Sequence, residues 1–307
     1  MNTVPVTSET HTRFSELDWL LSIGMAITWG SSFILIDIAI DHFHVAVVPL
    51  GRTAFGALAL IFLPSSRQKF DRRDLPVLFV LGATWMAIPF LLYPLAERTV
   101  TSSITGMING ALPVVVAIVT AIWTKTMPSS RRIIAVLVGI AGILLIALPS
   151  IDSDDAASPI GIALLLLALL SYAVSTNLAR PLQQKYDPAA LMLRVELVAC
   201  IYSFPFGVYG MSESTFAWSS LFAVAALGAI GTGYAFTLFS TLLKRTGIAR
   251  SMIPTYFTPV VGTILGVGFN NEPLVWLSVT GMGVVVIAAW LTSLPDPSSS
   301  QRRLRRR

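Results

Sequence analysis

Apolar stretches alternate with short polar breaks along nearly the whole chain. Pro, Gly, Asp and clustered basic residues separate ten such stretches, at about 17–37, 46–64, 75–94, 101–124, 131–148, 159–180, 188–209, 217–243, 248–269 and 274–294. A helix needs roughly 20 residues of low polarity to cross the hydrocarbon core of a bilayer. In that core each backbone N–H and C=O must find its partner inside the protein, a demand that packed helices meet. The pattern predicts an all-α integral membrane protein with ten transmembrane helices. The polar first 16 residues carry one basic residue, Arg13, and run into the first stretch without an A-x-A-like cleavage site, so Leu17 onward reads as a retained helix.

The positions of Lys and Arg orient these spans. Counted over alternate breaks, 18 of the 21 fall on one side: Arg13, the groups at 67–73, 125–132, 180–185 and 244–250, and five arginines between Arg302 and Arg307. The other side holds Arg98, while Arg52 and Arg194 lie within spans. By the positive-inside rule both termini are expected in the cytoplasm, with the protein a multi-pass component of the cell membrane.

Five spans on either side of an acidic break give the organisation. The expected order is a cytoplasmic tail (1–16), a first five-helix repeat (17–148), an external linker with Asp152, Asp154 and Asp155 (149–158), a second repeat (159–294) and an Arg-rich cytoplasmic tail (295–307). Because five is odd, the second repeat enters the membrane inverted. The sequence echoes itself accordingly: Pro113-Val114-Val115 returns 146 residues later as Pro259-Val260-Val261, Ala135 and Gly142 meet Gly281 and Ala288 at the same offset, and Trp29 and Arg52 face Tyr172 and Arg194 at offsets of 143 and 142. Two inverted five-helix repeats are a known basis for alternating access.

Composition narrows the function classes. With 54% hydrophobic and 12% charged residues and a mean hydropathy of +0.75, the net charge of +5 does not signal a nucleic-acid partner. The single cysteine, Cys200, rules out an intramolecular disulfide and reads as a packing residue. His11, His42 and His44 lie in the tail and first external loop, so no histidine is a buried general base. No Cys/His cluster suggests a metal, no phosphate loop a nucleotide, and no cofactor is implied. An intramembrane enzyme is disfavoured.

Thr28-Trp29-Gly30-Ser31-Ser32-Phe33, Arg52-Thr53-Ala54-Phe55, Lys244-Arg245-Thr246-Gly247-Ile248-Ala249, the Pro259-Val260-Val261 turn and Asn271-Glu272-Pro273-Leu274 followed by Gly281 occur in order. With them, over about residues 17–294, the chain resembles the EamA-type drug/metabolite transporters. The resemblance implies a ten-helix inverted-repeat carrier, usually an exporter of amino acids or other small metabolites, with a central cavity formed largely by spans 1, 3, 4, 6, 8 and 9. The family pattern commonly places a glutamate at the ends of the fourth and ninth spans. Here Glu272 fills the second place, and Thr126 stands in the first.

Polar and aromatic groups inside spans are the candidate contacts for a small-molecule substrate. Trp29 and Ser32 in span 1, Trp85 in span 3, Asn109 in span 4, Tyr172 and Ser175 in span 6, Tyr234 in span 8 and Tyr256 in span 9 make up that set. Each also has a plain alternative: hydroxyls cap their own helix carbonyls, Gly106 and Gly110 around Asn109 admit a neighbouring helix, and Ser171 with Ser175 bonds between helices. Arg52 and Arg194 are expected to serve the structure, for instance by binding helix-end carbonyls. Glu196 is the only carboxylate well inside an expected span, and thus the candidate for proton coupling. The terminal arginines suit anionic lipid at the bilayer surface as well as topology.

A lining of Trp, Tyr, Ser and Asn suits a neutral or zwitterionic metabolite with apolar surface, amino acids foremost. The alternatives are a facilitative, channel-like permease, or a carrier of another class such as a drug or a nucleotide-linked cargo. The last would call for more basic groups than two arginines.

Overall fold

The computed structural model describes residues 15–127, 129–148, 158–246 and 251–293, and over them the chain is helical, with no strand. The acidic linker at 149–157, Arg13, Arg250, Gly247-Ile248-Ala249 and the Arg-rich tail lie outside the described residues.

Helix α1 (Glu16–Gly30) opens with a reciprocal cap in which the Ser15 hydroxyl accepts from the Asp18 N–H and the Asp18 carboxylate accepts from the Ser15 N–H. It is followed by α2 (Ser32–Ile40), α3 (Val47–Ile61), α4 (Leu75–Leu81), α5 (Ile88–Glu97), α6 (Ser102–Asn109) and α7 (Leu112–Thr124). Then come α8 (Ser130–Ala147), α9 (Pro159–Lys185), α10 (Pro188–Ser212), α11 (Trp218–Gly228), α12 (Ala235–Thr246), α13 (Ile253–Asn270) and α14 (Trp276–Ser293). Proline opens α7, α9, α10 and α13, where its missing N–H would have had no helical partner.

Several expected spans are continuous rods with local faults. Ser31 separates α1 from α2, and its hydroxyl and that of Ser32 both donate to the Thr28 carbonyl at 3.0 Å. Gly110 and Ala111 separate α6 from α7, where Pro113 has no N–H to continue the ladder back to Asn109. Two π-helical stretches, Gly82–Ala87 and Ala229–Tyr234, join α4 to α5 and α11 to α12.

By length and apolarity, six helical runs are able to cross a bilayer: Glu16–Ile40, Arg72–Glu97, Ser102–Thr124, Pro159–Lys185, Pro188–Ser212 and Trp218–Thr246. Val47–Ile61, Ile133–Ile146 and Trp276–Leu291 are apolar but shorter. At 1.5 Å per residue, about 15 residues reach only about 22 Å against a core of about 30 Å. Helix α13 has 18 residues, and its apolarity is diluted by Thr255, Thr258, Thr263, two prolines and three glycines. Length and apolarity therefore mark six of the ten expected spans. The outer surface is apolar as well: Phe62, Ile122, Ile160, Phe206, Phe269 and Trp276 are each more than 60% exposed. Water would not tolerate such a belt, whereas acyl chains suit it.

Small residues let the helices close up. Gly142 of α8 lies against Val285 and the Gly281 carbonyl, and Gly281 of α14 lies against the Gly142 carbonyl and Ile146. Gly30 of α1 meets Val261 and the Thr258 carbonyl of α13. Hydrogen bonds then tie the connecting segments into two groups. In one, Arg245 binds Asp18 at 2.8 Å, Lys185 binds Asp74 at 2.7 Å, and Lys244 donates to the Tyr186 carbonyl at 2.8 Å. In the other, the His44 N–H donates to Ser214 at 2.8 Å, Ser220 to the Ile38 carbonyl at 2.9 Å, and Thr99 pairs with Ser158 at 2.7 Å.

Candidate functional site

A cavity opens between elements from both halves of the chain, with about 670 Å³ of space that no atom fills, part of it open. Its lining is mostly apolar with a few placed polar groups, the usual make-up of a small-molecule pocket. One wall is aromatic. Trp29 of α1 stands 5.4 Å from Phe236 and 5.5 Å from Phe239 of α12, centroid to centroid, and Trp85 meets Phe236 edge to face at 5.8 Å. Tyr93 also lines the cavity, and its hydroxyl donates to Asn109 Oδ1 at 2.5 Å, leaving the Asn109 amide hydrogens for another acceptor. Tyr172 stacks obliquely on Tyr93 at 6.1 Å. Ser32, Thr176 and Thr255 add hydroxyls, and Arg52 supplies the cation in the lining.

The two π-helical stretches shape this site. A π turn leaves backbone carbonyls outside the regular ladder and re-aims side chains, and such turns concentrate at functional sites. In the second stretch, the Gly231 carbonyl accepts from the Trp29 indole N–H at 3.2 Å. The neighbouring Thr232 hydroxyl donates five residues back to Leu227 at 2.8 Å and accepts from Arg52 Nε at 2.7 Å. In the first stretch, Trp85 turns into the cavity while Thr84 faces α9, where Ser171 donates to its carbonyl at 2.6 Å and Ser175 to its hydroxyl at 2.8 Å.

Of the eight residues expected at the site, Trp29, Ser32, Trp85, Asn109 and Tyr172 line the cavity. Ser175, Tyr234 and Tyr256 do not. Ser175 is fully buried in the hydrogen bonds that join α9 to the first π stretch, the interhelical alternative weighed from sequence. Tyr234 ends the second π stretch 45% exposed, outside the cavity lining. Tyr256 packs in the cluster with Met25, Val114 and Leu242, one position beyond the lining residue Thr255.

The Arg194 guanidinium donates to the carbonyls of Ser66 and Gln68 at 2.6 Å and of Ala190 at 3.1 Å. Arg52 differs, because it lines the cavity. Glu196 is fully buried beside Gly56, with neither oxygen hydrogen-bonded to a described residue. It is not the only such carboxylate. Helix α5 runs three residues past the expected end of span 3, and this carries Glu97 to 6% exposure with both oxygens likewise unpartnered. Sequence reading missed Glu97 because Arg98 beside it marked a loop. It also missed Phe33, Tyr93, Phe236 and Phe239. The available signal was the pair Phe236 and Phe239, three apart and so on one helix face.

Glu272, whose counterpart in the first half is Thr126, has a clear duty. Glu272 accepts from the N–H and hydroxyl of Ser102 at 3.0 and 2.6 Å and from the N–H of Ser103 at 2.8 Å, so it caps the N-terminus of α6 from the far end of α13.

Comparison with known proteins gives the same setting. The model of the EamA-like transporter family matches residues 18–148 and again 159–294. An uncharacterized transporter of Archaeoglobus fulgidus is 22% identical over 275 residues, covering 89% of this chain and 97% of that one. The uncharacterized inner membrane transporter YedA of Escherichia coli K12 is 25% identical over 92% of this chain and 93% of its own. A probable terminal-alkyne amino-acid exporter of Streptantibioticus cattleyicolor is 23% identical over 85% and 87%. One solved crystal structure aligns with a TM-score of 0.62 at 16% identity, over 93% of this chain and 97% of that chain, a likeness of fold.

Proposed function

The chain belongs to the EamA-like transporter family and is a membrane transporter, and from that premise we propose that it exports small neutral or zwitterionic metabolites, amino acids first among them, by alternating access. The observation that carries this reading is the cavity itself. It lies where helices of both halves meet, and it combines an aromatic wall with the Asn109 amide and several hydroxyls. An amino-acid side chain would rest on the rings while the polar groups hold its head. A relative named as a probable amino-acid exporter lends support.

The architecture we propose is ten spans in two inverted five-helix repeats, with both termini cytoplasmic in the cell membrane. Two matches of backbone conformation support it. The π stretches beginning at Gly82 and Ala229 are 147 residues apart, and left-handed residues end α7 and α13 at Lys125 and Asn271. The basic residues on alternate connections give the orientation, and the arginines at 302–307 would lie against anionic lipid. Rocking of one repeat against the other would expose the cavity to each side in turn. On this reading the protein is a carrier without enzymatic chemistry or a cofactor.

The test is flux in proteoliposomes holding the purified full-length protein. Labelled amino acids, a cationic drug and a nucleotide sugar would be compared, with and without a proton gradient. Saturable amino-acid counterflow supports the proposal. Flux of the nucleotide sugar or the drug alone would replace its substrate class, and non-saturable passage of all three would replace the carrier by a channel.

A further inference from the structure

Arg52 and Arg194 occupy related places in the two halves yet meet different surroundings. Three backbone carbonyls take up the guanidinium of Arg194. Among the described residues Arg52 has one hydrogen-bond partner, Thr232, which binds Nε at 2.7 Å, and no carboxylate within 4 Å. The Thr232 proton is committed to the Leu227 carbonyl, so its oxygen is oriented to accept. On a second side, Arg52 Cζ lies 3.9 Å from the centroid of the Phe90 ring. The guanidinium is thus mounted on two sides while its two Nη atoms, four N–H donors in a planar fork, are left without a described partner. They stand at the wall of the cavity. The carboxylates that act on Arg52 electrostatically, Glu196 of α10 and Glu97 of α5, do so from beyond ion-pair distance, and Tyr93 and Tyr172 act on it as well.

A side chain that served only packing would have its donors satisfied, since an unpaired cation away from water is costly. A planar fork matches a carboxylate in two parallel hydrogen bonds. We propose that Arg52 reads the carboxylate of the transported molecule, with the apolar remainder lying against Trp29, Trp85, Phe236 and Phe239. The ligand class is a monocarboxylate bearing an apolar or aromatic group, amino acids included, and it excludes the matching amides and amines. This deepens the carrier reading and rests on it for the transport step, but the recognition step is measurable by binding alone.

The experiment is calorimetric titration of the full-length protein in nanodiscs with phenylalanine, 3-phenylpropionate, phenylalaninamide and 2-phenylethylamine. The wild type is expected to favour the two acids over the amide and amine by at least about tenfold, the size of a charge-assisted hydrogen bond lost. Arg52→Gln should erase that preference and Arg52→Lys keep part of it. Thr232→Val keeps the charge but removes its mount, and it should weaken acid binding while leaving the amide unchanged. It also keeps the test open should Arg52→Gln fail to fold. Equal binding of acid and amide by the wild type, no binding of either acid, or a preference that survives in Arg52→Gln overturns the proposal. Arg52-dependent acid binding without flux in proteoliposomes would instead overturn the carrier reading and leave the recognition site standing.

Discussion

Lys125 and Asn271 end α7 and α13 with the same left-handed backbone turn, φ 50° and ψ 37° in the first and φ 52° and ψ 32° in the second, 146 residues apart. They are the two non-glycine residues with positive φ among those described. The offset equals that of the Pro-Val-Val echo, so the repeated sequence ends its helices with a repeated conformation. The next residues differ, Thr126 and Glu272, and only the glutamate reaches across to a helix N-terminus.

That cap gives a first prediction. Glu272→Ala strips three hydrogen bonds from the start of α6 and should lower stability by about 1–2 kcal/mol, with Glu272→Gln costing less because it keeps one acceptor oxygen. Thermal unfolding in detergent measures both. Equal melting of all three proteins would show that the cap contributes nothing.

The α8–α14 contact gives a second. A methyl group on Gly281 would meet the Gly142 carbonyl and the Ile146 nitrogen at 2.8 Å, backbone atoms that move only with their helix. Gly281→Ala should therefore destabilise by about 1–3 kcal/mol. Gly283→Ala, two residues on, has nothing within 4 Å and should be neutral or slightly stabilising. The pair of melting curves decides, since general intolerance of α14 would affect both alike.

Cavity residues give a third. Trp29→Ala removes ring contacts with Phe236 and Phe239, and weakening of substrate affinity by about 0.5–1.5 kcal/mol beyond lost area is expected. Asn109→Ala should weaken it through the amide donors, while Tyr234→Ala, on the outer face, should leave affinity unchanged. The cavity would lose its assigned role if Tyr234→Ala altered transport affinity and the other two did not.

Orientation gives a fourth. In a Cys200→Ser background, a cysteine at exposed Thr126 should react with an impermeant maleimide only from the cytoplasmic side, and one at exposed Glu213 only from outside. Reaction of both from one side would refute the proposed topology.

Coupling gives the last. Glu196 and Glu97 are both buried with no hydrogen-bond partner among the described residues, and a proton-driven cycle needs a group that binds and releases a proton as access alternates. If an imposed pH gradient drives accumulation, Glu196→Gln should abolish it and spare counterflow. Glu97→Gln performed in parallel assigns the role between the two. Transport indifferent to the gradient would leave a facilitator that needs neither carboxylate.

The sequence alone determined the helical membrane class and the internal echo, because these depend on composition and period, which need no third dimension, and its ordered motifs carried the family resemblance. It also named five cavity residues, Trp29, Ser32, Trp85, Asn109 and Tyr172, since large aromatics and amides stand out in apolar helices. Only the tertiary structure separated Arg52 from Arg194: the two look alike in sequence, and what distinguishes them is whether nearby carbonyls consume the donors. It likewise set Tyr234 outside and Tyr93 inside, and it buried Glu97 where Arg98 had suggested a loop. The burial of Glu97 turns on a helix that runs one turn longer than its apolar pattern, and the two π turns shift the helical register along α4–α5 and α11–α12. A single inserted residue rotates every side chain after it by about 100°, and periodicity read along the chain does not register where that insertion falls.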